Sequence, residues 1–267
     1  MFADKMVLDF HTHAWPDKIA RAALALMAGR SDLTPLTDGT YAHTEQMLRS
    51  WGVDHAIVLP VATKASQHQT INEFAASINA QNPFFTSFGS VHPLSPDVFE
   101  ALQTVLDLGL RGIKLHPEYQ QFFIDDERVF PVYEWCRDHH LIVIAHTGAD
   151  VGYPPPYHSD PQRIAYVLDA VPGLTFVAAH LGSYQNCKGA KKYLVGRDIY
   201  FDTAFIAGYD PAEVKEIVLE HGADHILFGS DCPWMSAEKG LSFLHQLELG
   251  NEAEEKIFAG NALKILG

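Results

Sequence analysis

Eight short apolar runs, rich in β-branched and aromatic residues, recur along the chain and begin near Val7, Ala56, Phe84, Leu110, Leu141, Leu174, Ile199 and Ile226. Each is of strand length, and each is followed by a longer amphipathic stretch with room for a helix. Continuous apolar runs, as opposed to strictly alternating ones, belong to strands covered on both faces, the situation of parallel sheets built from strand–helix–strand units. Eight such units in even alternation predict an α/β fold, a (β/α)8 or TIM barrel, as one domain over residues 1–267. Local signals support the helices. Ser95-Pro96-Asp97 supplies a cap, a proline for the first helical position and an early acid, and Asp210-Pro211-Ala212-Glu213 opens another helix in the same way. Lys188 to Gly196, bracketed by glycines, reads as loop or short helix. Arg30 to Tyr41 and Asp150 to Asp160 are long enough to be insertions after the first and fifth strands, where a barrel places its active rim.

Polar residues of one chemical kind sit at the carboxyl ends of these strands. His11-Thr12-His13 ends the first, His92 the third, His116 the fourth, His146 the fifth, His180 the sixth and Asp231 the eighth. In an extended backbone residues i and i+2 face the same way, so His11 and His13 can reach one ion. Imidazole nitrogens with a carboxylate oxygen form the mixed donor set that suits zinc, and also manganese or another divalent ion. A single His-x-His is also compatible with two ordinary polar residues at a strand end. The recurrence at equivalent strand ends is what points to one shared metal, because buried polar groups need partners.

Composition narrows the partners. Acids outnumber bases 33 to 19, for a formal charge of −14, which opposes an electrostatic grip on nucleic acid and favours a small-molecule substrate. Three cysteines, Cys136, Cys187 and Cys232, are too few and too scattered for a disulfide framework, which indicates a reducing, cytoplasmic setting. Met1 to Met6 leads straight into the first strand and no long uncharged apolar stretch occurs, so neither a signal peptide nor a membrane span is expected.

The motifs resemble those of the amidohydrolase superfamily, in the branch called amidohydrolase family 2, which includes decarboxylases of the aminocarboxymuconate semialdehyde type. Leu8-Asp9-Phe10-His11-Thr12-His13 looks like the family's first strand, and Gly112-Ile113-Lys114-Leu115-His116-Pro117 like its fourth. Ala145-His146-Thr147-Gly148 and Ala179-His180-Leu181-Gly182 are similar to the fifth and sixth. Gly229-Ser230-Asp231-Cys232-Pro233-Trp234 is similar to the eighth, and Ile257 to Ala262 to the closing helix. The resemblance implies His11, His13, His146 and Asp231 as ligands of one divalent metal, His180 beside the reacting water or substrate, and by analogy a homodimer. The chain departs from two-metal members, which carry a carboxylated lysine or a glutamate at the fourth strand. Here the tip is His116, a substrate contact in this reading, with Lys114 one layer deeper.

The reaction that follows is hydrolysis of a small ester, lactone or amide by metal-activated water, with Asp231 moving the proton and the metal or His180 polarising the carbonyl. The same site serves non-oxidative decarboxylation of a small unsaturated or aromatic acid, and a non-catalytic metal-binding barrel is the third reading. Trp15 and Trp234, adjacent to ligand motifs, are expected to line the substrate pocket. Cys232 faces away from Asp231 and is expected to pack. Glu252 to Lys256 reads as a solvated helix face.

Overall fold

All eight predicted strands form. In the computed structural model, which describes residues 5–31 and 33–267, they are β1 (Leu8–Thr12), β2 (His55–Val58), β3 (Phe85–Ser87), β4 (Gly112–Leu115), β5 (Ile142–Ala145), β6 (Phe176–Ala178), β7 (Tyr200–Asp202) and β8 (Ile226–Leu227). Residues 1–4 and Asp32 lie outside the described residues, so the reading of the amino-terminal segment and part of the first insertion is not tested by them. The described chain divides into two compact units, one running to Val58 and resuming at Asp202–Gly267, the other Leu59–Phe201.

In the first unit β1 pairs in parallel with β2, Leu8 opposite His55 and Asp9 opposite Ala56. On its other side β1 bonds the chain at and beyond the end of β8: Phe10 N–H donates to Phe228 O at 2.7 Å, and Asp231 N–H donates to His11 O at 2.8 Å. β1 is thus a central strand, buried throughout. Its register against β2 slips by one residue between Asp9 and Thr12, so strict two-residue alternation does not run the length of the strand, yet His11 and His13 both reach Asp231. Asn261, near the carboxyl terminus, closes the unit by donating from its amide to Ala223 O and Ile226 O.

In the second unit β4, β5, β6 and the Tyr200–Phe201 portion of β7 pair in parallel in that order. Gly89, just past β3, donates to Gly112 O and accepts from Lys114 N–H, which puts β3 beside β4. The sheet is largely apolar, with Ile113, Leu115, Val143, Ile144, Phe176 and Val177 excluded from solvent, and Lys114 of β4 is buried as well. That accounts for the continuous apolar runs in the sequence.

Helix starts follow the local chemistry with one correction. Asp210 caps the helix Pro211–His221, its side chain accepting from Ala212 N–H with Pro211 in the first turn. Before Val98–Asp107, however, the cap is Asp97, so Pro96 stands outside the helix and not at its first position. The basic stretch after Gly182 is helical over Cys187–Tyr193, capped by Asn186. The helix Asp17–Ser31 takes in Arg30, which shortens the first insertion. Glu254 is buried, with its carboxylate on Lys5 and His245, and is not part of a solvated face. The reason is tertiary, since Lys5 approaches from the opposite end of the sequence. Among the described residues no helix is long and apolar enough to cross a membrane.

Candidate metal centre

The carboxyl end of β1 delivers two imidazoles to one carboxylate. His11 Nε2 stands 3.6 Å and His13 Nε2 3.2 Å from Asp231 Oδ1. Ligand atoms about 2.1 Å from a single tetrahedral ion stand about 3.4 Å apart, so these separations are those of the edges of one coordination polyhedron. Backbone pairing fixes the arrangement, because His13 N–H donates to Cys232 O and Asp231 N–H to His11 O. Asp231 itself adopts φ +67°, a left-handed conformation that Asp tolerates better than most residues. Gly229 is required at its position, since a Cβ there would come within 2.9 Å of His11 Cβ.

The other ring nitrogen decides what His11 can offer. His11 Nδ1 lies 2.7 Å from Asp202 Oδ2, with both residues inaccessible to solvent. An ionised carboxylate only accepts, so Nδ1 is protonated; in the neutral ring, the form that binds a metal, Nε2 then carries the lone pair. That lone pair then faces another acceptor, Asp231 Oδ1, an arrangement that an intervening cation makes favourable. A third carboxyl lies buried on the same strand. Asp9 accepts at Oδ1 from the N–H groups of Ser230 and His11, and burial pushes its pKa up to about 7, the Ser230 and His11 hydrogen bonds pulling down and the Asp202 charge pushing further up. Two carboxylates on two imidazoles, Asp202 at the far nitrogen of His11 and Asp231 facing both rings, fit a bound divalent cation well.

A second group of the same residue types occurs in the other unit. His116 Nε2 lies 3.3 Å from Asp150 Oδ2, and its ring is stacked between Tyr119, at 3.6 Å and 8°, and His146, at 4.3 Å and 11°. His146 Nε2 is 2.9 Å from Ala149 O, and a carbonyl only accepts, so the proton of this ring is on Nε2. Nδ1 of His146 is then the acceptor for His180 Nε2 at 3.0 Å, which leaves the acceptor lone pair of a neutral His180 on Nδ1. Burial, reinforced by His116 and Lys114, pushes the His146 pKa down to about 3 and keeps the ring neutral. Burial works against the Asp150 carboxylate, yet the hydrogen bond and charge of His116 hold its pKa well below the usual range. His180 and Leu181 both adopt φ +58°, and Gly182 continues at +82° where a Cβ would meet the Phe201 ring at 2.8 Å. Although the donor atoms of His116, His146 and Asp150 lie within 4.8 Å of one another, both nitrogens of His146 are engaged by protein and the two rings are parallel. Parallel rings do not converge their lone pairs on one point.

Comparison with known proteins decides the family. The amidohydrolase model Amidohydro_2 matches residues 8–267, nearly the whole chain. The chain belongs to amidohydrolase family 2. No curated protein matches it. Among solved structures, an uncharacterized TIM-barrel protein, Bb4693, from Bordetella bronchiseptica is 21% identical and superposes with a TM-score of 0.81, covering 98% of each chain. The 5-carboxyvanillate decarboxylase LigW from Sphingomonas paucimobilis is 14% identical, with a TM-score of 0.77 over 98% of this chain and 99% of that one. A protein provisionally named 2-pyrone-4,6-dicarboxylic acid hydrolase from Pseudomonas putida is 18% identical, with a TM-score of 0.66 over 98% and 97%. The fold of this amidohydrolase is therefore the TIM barrel that the eight-fold alternation predicts.

Of the predicted site residues, His11, His13 and Asp231 come together in one unit. Trp15 and Trp234 flank them: the Trp15 ring stacks near His13, at 6.3 Å and 25°, and Trp234 N–H donates to Asp231 O. His116, His146 and His180 come together in the other unit. Two residues of these clusters were not foreseen. Asp202 ends β7 and obeys the same strand-end rule as the others, so its signal was present in the sequence. Asp150 lies in an irregular segment four residues beyond His146, and no periodicity marks it. Cys232 packs as expected, buried with its thiol pKa pushed well up by burial.

Proposed function

We propose that this amidohydrolase is a metal-dependent hydrolase of a small ester, lactone or amide, working as one barrel domain with one divalent cation, zinc first among the candidates. The observation that carries the reading is the convergence of His11 Nε2, at 3.6 Å, and His13 Nε2, at 3.2 Å, on Asp231 Oδ1. When bound, the cation polarises an acyl oxygen and makes water acidic enough to react near neutral pH. Asp231, with His11 and His13, would hold the ion, and its carboxylate would accept a proton from the attacking water and return it to the leaving group. Trp15 and Trp234 present aromatic faces to a planar substrate, and His116 is assigned to substrate contact. The family resemblance implies His146 as a further ligand, which would require its ring to exchange its hydrogen bond to Ala149 O or to His180 for the ion, and His180 beside the reacting groups. With its acceptor lone pair on Nδ1, a neutral His180 is better suited to take a proton than to donate to an oxyanion.

Decarboxylation of a small aromatic or unsaturated acid is the second reading, favoured by the likeness to a barrel named as a 5-carboxyvanillate decarboxylase. Metal-loaded protein incubated with a panel of lactones, esters and aromatic acids separates the two. Acid release without carbon dioxide supports the hydrolase, carbon dioxide release the decarboxylase. Blank assays from a protein whose melting transition collapses without metal would move the assignment to a non-catalytic barrel.

A further inference from the structure

We infer that Asp202 is a positioning residue for the cation: its buried carboxylate fixes the tautomer and direction of His11 and thereby sets how tightly the metal is held. This rests on the reading of His11, His13 and Asp231 as a metal site. The geometry is specific. Asp202 Oδ2 accepts a hydrogen bond from His11 Nδ1–H at 2.7 Å, while Oδ1 accepts from the N–H of Ala204 at 3.0 Å, so the carboxylate is itself oriented by backbone.

The neighbouring Thr203 ties down the segment that passes beside His11 Cβ. Thr203 Oγ1 donates to Gly229 O at 3.2 Å and accepts from Gly229 N–H at 3.0 Å, and Gly229 is the residue whose missing Cβ makes room for His11. One short segment, Asp202 to Ala204, therefore bonds both the His11 ring at Nδ1 and the glycine that makes room for His11 Cβ. A carboxylate behind a ligating imidazole makes the far nitrogen a stronger donor and removes the entropy of choosing a tautomer. Asp202 needs no contact with substrate to do this.

The distinguishing variant is Asp202→Asn, which keeps the size and an acceptor oxygen but removes the charge. Zinc affinity is measured by competition with a chromophoric chelator, alongside the melting temperature of the metal-free protein. The expected result is a zinc Kd weakened about 10- to 100-fold, with Asp202→Glu partly restoring it. An unchanged Kd, with or without a lower melting temperature, overturns the inference and leaves Asp202 a structural residue. Wild-type protein that holds no zinc overturns the metal reading beneath it and not the inference alone. Should Asp202→Asn fail to fold, nitrogen-15 NMR of the zinc-loaded wild type decides. A proton on His11 Nδ1 with zinc on Nε2 is expected, and zinc on Nδ1 overturns the proposal.

Discussion

Two clusters of identical composition, each two histidines and one aspartate, do different things because of what stands behind the imidazoles. Around His11 and His13 the backing group is a carboxylate, Asp202, which pushes the donor lone pair outward toward a second carboxylate, Asp231. Around His146 the partners are a backbone carbonyl and another imidazole, so both of its nitrogens are engaged, and its ring stacks on that of His116, whose Nε2 faces the Asp150 carboxylate. The first cluster accumulates negative charge and lone pairs at one point, and the second distributes them. Residue type alone does not make a metal site; the partner on the far nitrogen does.

The widest difference between the clusters should appear in turnover. Asp231→Asn in purified, metal-supplied protein is expected to lower kcat/KM by about 10²- to 10⁴-fold, the range carried by a positioned proton acceptor, while circular dichroism shows a folded protein. Near-normal turnover would remove Asp231 from the mechanism. Metal removal should separate the clusters next. At a free metal concentration of about a thousand times Kd the ion stabilises the fold by about 4 kcal/mol. A chelator should therefore lower the melting temperature of wild type and of Asp150→Asn, and leave that of His13→Ala unmoved. An equal drop in all three would contradict the assignment of the ion to the first cluster.

Acid should act through the second cluster. The folded-state pKa of His146, about 3, lies below the ordinary value of 6.5, so the unfolded chain takes up the proton first. This group costs nothing above pH 6.5 and removes stability as pH falls from 6.5 toward 3, at up to about 1.4 kcal/mol per pH unit. Denaturant midpoints of metal-free protein between pH 7 and 4 should fall less steeply in His146→Gln than in wild type; parallel slopes would contradict the burial of a neutral ring. The smallest effect is expected of Asp150→Asn, which weakens a buried charged hydrogen bond to His116. It should cost about 1–3 kcal/mol of stability by denaturant titration and leave metal content unchanged.

The strand ladder and most of the candidate ligands were legible because they obey short-range rules. Apolar runs bounded by turns mark strands, the two-residue period aligns His11 with His13, and strand ends collect chemistry. Asp202 obeyed the same rule and was passed over because a solitary acid at a strand end has no local signature of its partner. What short-range rules cannot reach is pairing across the sequence. Glu254 is buried because Lys5, 249 positions away, meets it. Asp150 matters because the loop after β5 brings it onto His116. The satisfaction of both His146 nitrogens depends on Ala149 and His180 together, which no spacing encodes. Pro96 lies outside its helix because Asp97 takes the cap, a one-residue competition that the Ser-Pro-Asp pattern leaves open.

The most direct test of the central claim is metal content per chain, by elemental analysis of wild type and of the double variant His13→Ala with Asp231→Asn after zinc loading and desalting. One equivalent on wild type and none on a folded double variant is the predicted result. Equal zinc on both proteins, or none on wild type, would contradict it.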